Sequence, residues 1–128
     1  MYRLNDLRHC IETESDGARE RQSIFANIIN NSLNAFRRAG SASREIAIST
    51  DLEGDNFEAR IADSGPGLVG VLEKDIWLPG VTTETDGTGL GLTIVRDTVT
   101  DLGGTVDVIP NGRLGGAEFI VRLPVIGS

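Results

Sequence analysis

The chain is poor in cysteine, in histidine and in aromatic residues. Cys10 is the only cysteine among 128 residues, which excludes an internal disulfide and a cysteine zinc site. A reducing, cytoplasmic setting is the default for such a chain, and it leaves a longer parent protein free to carry a membrane anchor. No apolar run approaches the ~20 residues needed to span a bilayer, so this domain is expected to make no membrane contact. The start, Met1 to Leu7, lacks an apolar stretch after its charge and does not read as a signal peptide. Basic residues are outnumbered by acidic ones, 12 against 19, for a net charge of −7. With no basic stripe, direct nucleic-acid binding is disfavoured. Repeats and interdomain linkers are also missing, so one domain over 1–128 is expected, with residues 1–14 either a linker remnant or an edge strand. A hydrophobic content of 39% suffices for a real core.

What the chain has is glycine in a pattern. Gly87-Thr88-Gly89-Leu90-Gly91-Leu92 puts glycine at every second position. A helical apolar period follows at Leu92, Val95, Val99 and Leu102, closed by Gly103-Gly104. A glycine turn feeding a helix N-terminus suits an anion such as a nucleotide polyphosphate, because bare backbone and unpaired N–H groups converge there. A plain loop before a helix is the other reading of the glycines alone.

A second signal lies in a helix expected from about Arg19 to Ala39, with Ser15 or Asp16 as its cap and Gly40 as its stop. Phe25, Ile28, Ile29, Ser32 and Phe36 share one face, suited to packing on a sheet. Asn27, Asn31, Asn34 and Arg38 form another stripe, and Asn30 adds a fourth asparagine. Asparagine is a mediocre helix former, so the cluster is a local inconsistency of the kind found at functional sites. A carboxamide offers an oxygen to a hard cation such as Mg²⁺ without adding negative charge beside a phosphate. The alternative is a solvated polar face.

Between the helices, Glu45–Thr50 and Phe57–Ala62 read as strands of a hairpin, with the turn over Asp51–Asn56. The second strand runs into Asp63-Ser64-Gly65-Pro66-Gly67. Its carboxylate can accept from an exocyclic amine such as that of adenine, or Asp63 can simply form a turn. Residues 68–86 are irregular, with one or two helical turns over Val71–Trp77 and a break at Pro79-Gly80. A segment of this length between two glycine motifs suits a lid over a ligand, or is an ordinary long loop. Thr105–Ile109 and Ala117–Leu123 are two further strands, the latter ended by Pro124.

In this order, the asparagine helix, Asp63-x-Gly65-x-Gly67, the lid and Gly87-x-Gly89-x-Gly91 resemble the ATP-binding catalytic domain of sensor histidine kinases. That domain belongs to the GHKL superfamily, shared with gyrase B and MutL. Asn27–Ala35 resembles the family's N box, Asp63–Gly67 its first glycine box, Gly87–Leu92 its second, and Gly115–Phe119 with Leu123-Pro124 its closing strand. The resemblance covers about residues 15–125. It implies the Bergerat-type α/β fold, a two-layer α/β sandwich with helices on one face of a mixed β-sheet. It implies ATP and Mg²⁺ as cofactors, with Asn31 as metal ligand, Asn27 beside it, and both as catalytic residues. Asn34, Arg38, Asp63, Gly65, Gly67, Gly87, Thr88, Gly89, Leu90, Gly91 and Leu92 would complete the nucleotide contacts. The implied reaction is transfer of the γ-phosphoryl group to a histidine on the kinase's own dimerisation domain, and thence indirectly to a response regulator in two-component signalling. The family's Phe-x-Pro-Phe motif is replaced here by Trp77-Leu78-Pro79-Gly80-Val81. The lone histidine, His9, does not resemble the phospho-acceptor motif. The chain therefore reads as the catalytic domain excised from a longer kinase, or as a stand-alone kinase acting on a separate partner. Hydrolysing members of the superfamily resemble one another in a glutamate one helical turn before the metal-binding asparagine, where this chain has Asn27. A serine kinase or ATPase of the same superfamily, and a nucleotide-holding module without turnover, are the alternative readings.

Overall fold

The computed structural model describes residues 18–68, 73–78 and 91–125. Helix α1 spans Ala18–Ala39, one residue earlier than the sequence pattern suggests. Its apolar stripe is the core-facing one: Ile24, Phe25, Ile28, Ala35 and Phe36 are buried, and Ile29 packs at the margin. Full burial of each large side chain contributes about 1.5–3 kcal/mol. The helix stops because Gly40 adopts a left-handed φ of 61°. Ser41 N–H donates to Phe36 O at 3.1 Å and Gly40 N–H to Arg37 O at 3.3 Å, the paired bonds of a Schellman cap.

Strands β1 (Ile46–Glu53) and β2 (Asn56–Asp63) form an antiparallel hairpin. The turn is tighter than the six residues expected, since Glu53 pairs with Asn56 and only Gly54-Asp55 lies between. Gly54, at φ 61°, is the only one of the two with positive φ, as a two-residue turn with glycine first requires. After β2 come helix α2 (Gly91–Asp101), strand β3 (Thr105–Ile109) and strand β4 (Glu118–Pro124). Leu92, Val95 and Val99 carry α2 onto the core, and the helix closes like α1, through Gly104 N–H to Val99 O at 2.9 Å and Gly103 N–H to Thr100 O at 3.0 Å.

The sheet order is β1-β2-β4-β3. All three described pairings are antiparallel, where the resemblance led us to expect a mixed sheet. The parallel relation exists, but not between neighbours. β2 and β3 run the same way on either side of α2, and β4 inserts between them and opposes both. The core-facing row crosses all four strands through Ile48, Ile61, Phe119 and Val108, which are register partners in turn. The two helices cover that face, so the two-layer α/β sandwich is as expected. The opposite face carries a charge ladder instead. Arg60 pairs with Glu58 at 2.8 Å, Glu58 with Arg122 at 3.1 Å, and Arg122 with Asp107 at 3.5 Å.

Residues 73–78 form turns rather than a helix. Ile76 and Trp77 are nevertheless buried. Trp77 stands edge-on to Phe119 with ring centroids 6.0 Å apart, and its carbonyl accepts from Thr93 Oγ1 at 2.6 Å. The tryptophan thus ties this segment both to the centre of the sheet and to the first turn of α2. The proposed edge strand at Cys10–Glu14, His9, most of the lid at 68–86, and Gly87 to Leu90 lie outside the described residues. Among the described residues, no helix is long and apolar enough to cross a membrane.

Candidate functional site

The site is built where β2 ends against α1. Asp63 is the last residue of β2 and is 2% exposed. A buried carboxylate needs donors, and it has two. Gly65 N–H donates to Oδ1 at 2.9 Å, and the Ser32 hydroxyl donates to Oδ2 at 2.7 Å. Its backbone is pinned as well. Asp63 N–H donates to Ala117 O at 3.0 Å, and Gly116 N–H donates to Asp63 O at 3.0 Å. The aspartate is therefore no simple surface turn.

The loop after it lies close against its neighbours. A Cβ on Gly116 would fall 2.2 Å from Asp63 Oδ1 and 2.7 Å from Gly65 N. A Cβ on Gly67, whose φ is 77°, would fall 2.6 Å from Pro110 O. Side chains at these two positions would drive the backbone apart, so glycine here is dictated by close approach. Phe36 of α1 supports the loop from below, 3.5 Å from the Cβ position of Gly65.

The asparagine stripe lies on the same helix as Ser32. Asn27 donates through Nδ2 to Ser23 Oγ at 3.2 Å, which sets the direction of its carboxamide oxygen. That oxygen is 3.7 Å from the position a Cβ on Gly91 would take, so Asn27 faces the start of α2. Asn31, half-buried one turn later, makes no side-chain hydrogen bond to the described residues. Asn34 is engaged within the helix, accepting from Arg37 Nη2, and Arg38 is exposed. Leu92 contributes its side chain to the core, so only its backbone is available to a ligand. The structure thus brings together Asp63, Gly65 and Gly67 on one side and Asn27 with Gly91 on the other, joined by α1. Among the described residues, no cluster of three His, Cys, Asp or Glu side chains forms a metal cage. Carboxamide oxygens suit a hard cation that takes its remaining ligands from phosphate and water.

Three contributors escape a reading of the sequence. Ser32 sits on the apolar stripe of α1 and reads as a packing position; a hydroxyl among isoleucines and phenylalanines was the available signal, since it demands a buried partner. Gly116 reads as part of a turn. Glu118 reads as an ordinary strand residue, yet it is 3% exposed. Its Oε1 accepts from Arg113 N–H at 3.0 Å, and its Oε2 lies 3.4 Å from Arg60 Nη1, so it fastens the β3–β4 loop on which Gly67 rests. A groove of about 350 Å³ lies elsewhere. It is lined by Asp51, Glu53, Glu58 and Arg122 among others, at the opposite end of β2 from Asp63, and its acidic wall would repel a polyphosphate.

Known proteins resemble this chain in sequence and in fold. The chain is 34% identical over 104 residues to the sensor protein CitS of Halalkalibacterium halodurans, an alignment covering 80% of this chain and 19% of that protein. The chain therefore spans about a fifth of this curated relative. The nucleotide-free catalytic domain of histidine kinase ThkA superposes with a TM-score of 0.72 at 23% identity, over 96% of this chain and 93% of that one. Full-length ShkA in complex with AMPPNP superposes with a TM-score of 0.67 at 28% identity, over 84% of this chain and 22% of that one. The family described as histidine kinase-, DNA gyrase B-, and HSP90-like ATPase matches residues 18–126, which take in α1 with its asparagines, Asp63 with its glycines, and α2. The chain belongs to that family.

Proposed function

We propose that this chain binds Mg²⁺-ATP and transfers the γ-phosphoryl group to a histidine on the dimerisation domain of the same kinase, which passes it on to a response regulator. The observation that carries the reading is the Asp63 carboxylate, buried and fixed by two donors at the head of a glycine-containing loop. Its unused lone pairs accept the exocyclic amine of adenine. Gly65 and Gly67 allow the ring's approach. Asn31, with Asn27 beside it, would hold Mg²⁺, which neutralises phosphate charge when bound. Asn34 and Arg38, followed by the backbone from Gly87 through Thr88, Gly89, Leu90 and Gly91 to Leu92, would line the polyphosphate. Catalysis in this reaction class is mostly positioning and charge neutralisation. Support also comes from relatives that are named sensor histidine kinases, and from ShkA, solved in complex with AMPPNP.

Calorimetric titration tests the binding step. ATP should bind and GTP should bind poorly, because the six-position of guanine is a carbonyl and cannot donate. Asn31→Ala should remove the Mg²⁺ dependence of binding and leave the fold intact, since alanine is the better helix former. Mixing the ATP-loaded chain with the histidine-bearing domain should give an acid-labile phosphoprotein. An acid-stable product would instead favour a serine kinase of the same superfamily. Equal affinity for ATP and GTP would overturn the Asp63 assignment.

A further inference from the structure

We infer that Ser32 is a positioning residue for base recognition: its hydroxyl holds the Asp63 carboxylate in the one orientation that receives a purine 6-amino group. The inference rests on the reading of Asp63 as the adenine acceptor and goes beyond it, because it assigns selectivity to a residue that does not touch the base.

A hydroxyl in mid-helix ordinarily bonds back to the carbonyl one turn earlier or points to water. Ser32 does neither in this protein. It is 1% exposed, and its proton goes across to a residue 31 positions away, at 2.7 Å from Asp63 Oδ2. Toward a carboxylate oxygen a hydroxyl can only donate, and a bond of this length is in the strong, charge-assisted class. Oδ1 is claimed at the same time by Gly65 N–H at 2.9 Å. Two donors on two different oxygens, one from a helix and one from a loop, fix the rotation of the carboxylate plane. Gly116 closes a third side, with no room for even a methyl group against Oδ1. Each carboxylate oxygen offers two lone pairs, so one acceptor position per oxygen is left, in a direction set by the two donors. Loss of the Ser32 donor frees the plane to turn about the Cβ–Cγ bond, and the remaining lone pairs lose their fixed aim. Ser32 also follows Asn31 directly, so the same turn of α1 aims the base acceptor and carries the proposed metal ligand.

The test pairs a protein change with a ligand change. ATP and purine riboside triphosphate differ only in the exocyclic amine, and their dissociation constants are measured by calorimetry on the native chain and on Ser32→Ala. The native chain should prefer ATP by about tenfold or more, the scale of a buried hydrogen bond left unmade. In Ser32→Ala the preference should fall to within about threefold, almost entirely through weaker ATP binding. Ser32→Cys, which keeps the side-chain shape with a slightly larger atom and a weak donor, should lose most of the preference too, and serves as the readout if the alanine variant loses its cooperative melt. Equal weakening of both nucleotides, or an unchanged preference in the folded variants, overturns the inference and leaves Ser32 a packing residue. A native chain that does not distinguish the two nucleotides overturns the Asp63 reading itself.

Discussion

Asp63 has two oxygens and two committed donors, and this fixes what its replacement would do. In Asp63→Asn one oxygen remains. If it keeps the Gly65 N–H, the carboxamide nitrogen faces Ser32, whose hydroxyl can turn and accept instead. The fold then survives, but an N–H group points where an incoming amine also brings N–H. We expect ATP binding to weaken by about 1–3 kcal/mol, with the thermal midpoint little changed; calorimetry and a melt on the same sample check both halves. Gly116→Ala should act through the fold instead. Its methyl would enter space already held by Asp63 Oδ1, at 2.2 Å, and Asp63 O, at 2.6 Å. Overpacking of this kind costs about 1–3 kcal/mol, so the denaturant midpoint should drop and nucleotide binding should fall with it. A native midpoint would mean that the loop has slack that these distances deny. Asp63 stands out in the sequence as an acid at a strand end followed by glycines, a pattern that on its own equally suits a turn. Ser32 and Gly116 are not legible even to that extent, because what defines them is a neighbour distant in sequence: 31 positions for one, and 53 for the other by the numbers of Asp63 and Gly116.

At the scale of elements, periodicity made most of the fold readable. The ends of α1 and α2 fell near Gly40 and Gly103 because a left-handed glycine is a local, chemical stop. The hairpin was foreseen with strands too short, since Asp51, Leu52 and Glu53 look like turn residues and become strand only through their partners Glu58, Phe57 and Asn56. The antiparallel character of the sheet was not readable, because the insertion of β4 between β2 and β3 is a tertiary event. The charge ladder on the outer face is tertiary too, and it carries a pH signature. The hydrogen bond from Arg60 holds the Glu58 carboxyl below its ordinary value of 4.5; burial opposes it as the second-largest effect, and the hydrogen bond from Arg122 and the charge of both arginines reinforce it. A lowered carboxyl contributes stability that is present above the unfolded value and is lost as pH falls through the folded one. Glu58→Gln should therefore lower stability at neutral pH, and the difference from the native chain should disappear on acidification below about 4.5. With Glu58 and Arg60 side chains 31% and 41% exposed, solvent screening keeps the effect within about 1 kcal/mol. Denaturant melts of both chains from pH 7 to pH 3 would read it; a difference that grows toward acid would reverse the assignment.

For the whole molecule, the question is which nucleophile the domain serves. On the proposed reading, a domain with a net charge of −7 gathers a polyphosphate by local donors and by charge brought with the metal. Water and histidine make different demands on such a site. Water needs a base to take its proton in the transition state, whereas a neutral imidazole already presents a lone pair. Helix α1 has a single carboxylate, Glu20, in its first turn, two helical turns before Asn27. At Asn27 stands a carboxamide, which has no protonation step in the useful range and is already bonded to Ser23. A water molecule beside the γ-phosphate would thus find no base on this helix. We expect the isolated chain to bind Mg²⁺-ATP yet release phosphate far more slowly than the ~1–100 s⁻¹ of active kinases. Loss of ATP should accelerate only when a histidine-bearing domain is supplied. Asn27→Glu, which installs a carboxylate at that point of the helix, should raise basal phosphate release and should not raise phosphotransfer. A steady-state phosphate-release assay distinguishes the cases. Fast hydrolysis by the native chain, abolished in Asn31→Ala, would mean that the base comes from outside α1, and the ATPase reading would then replace the kinase one.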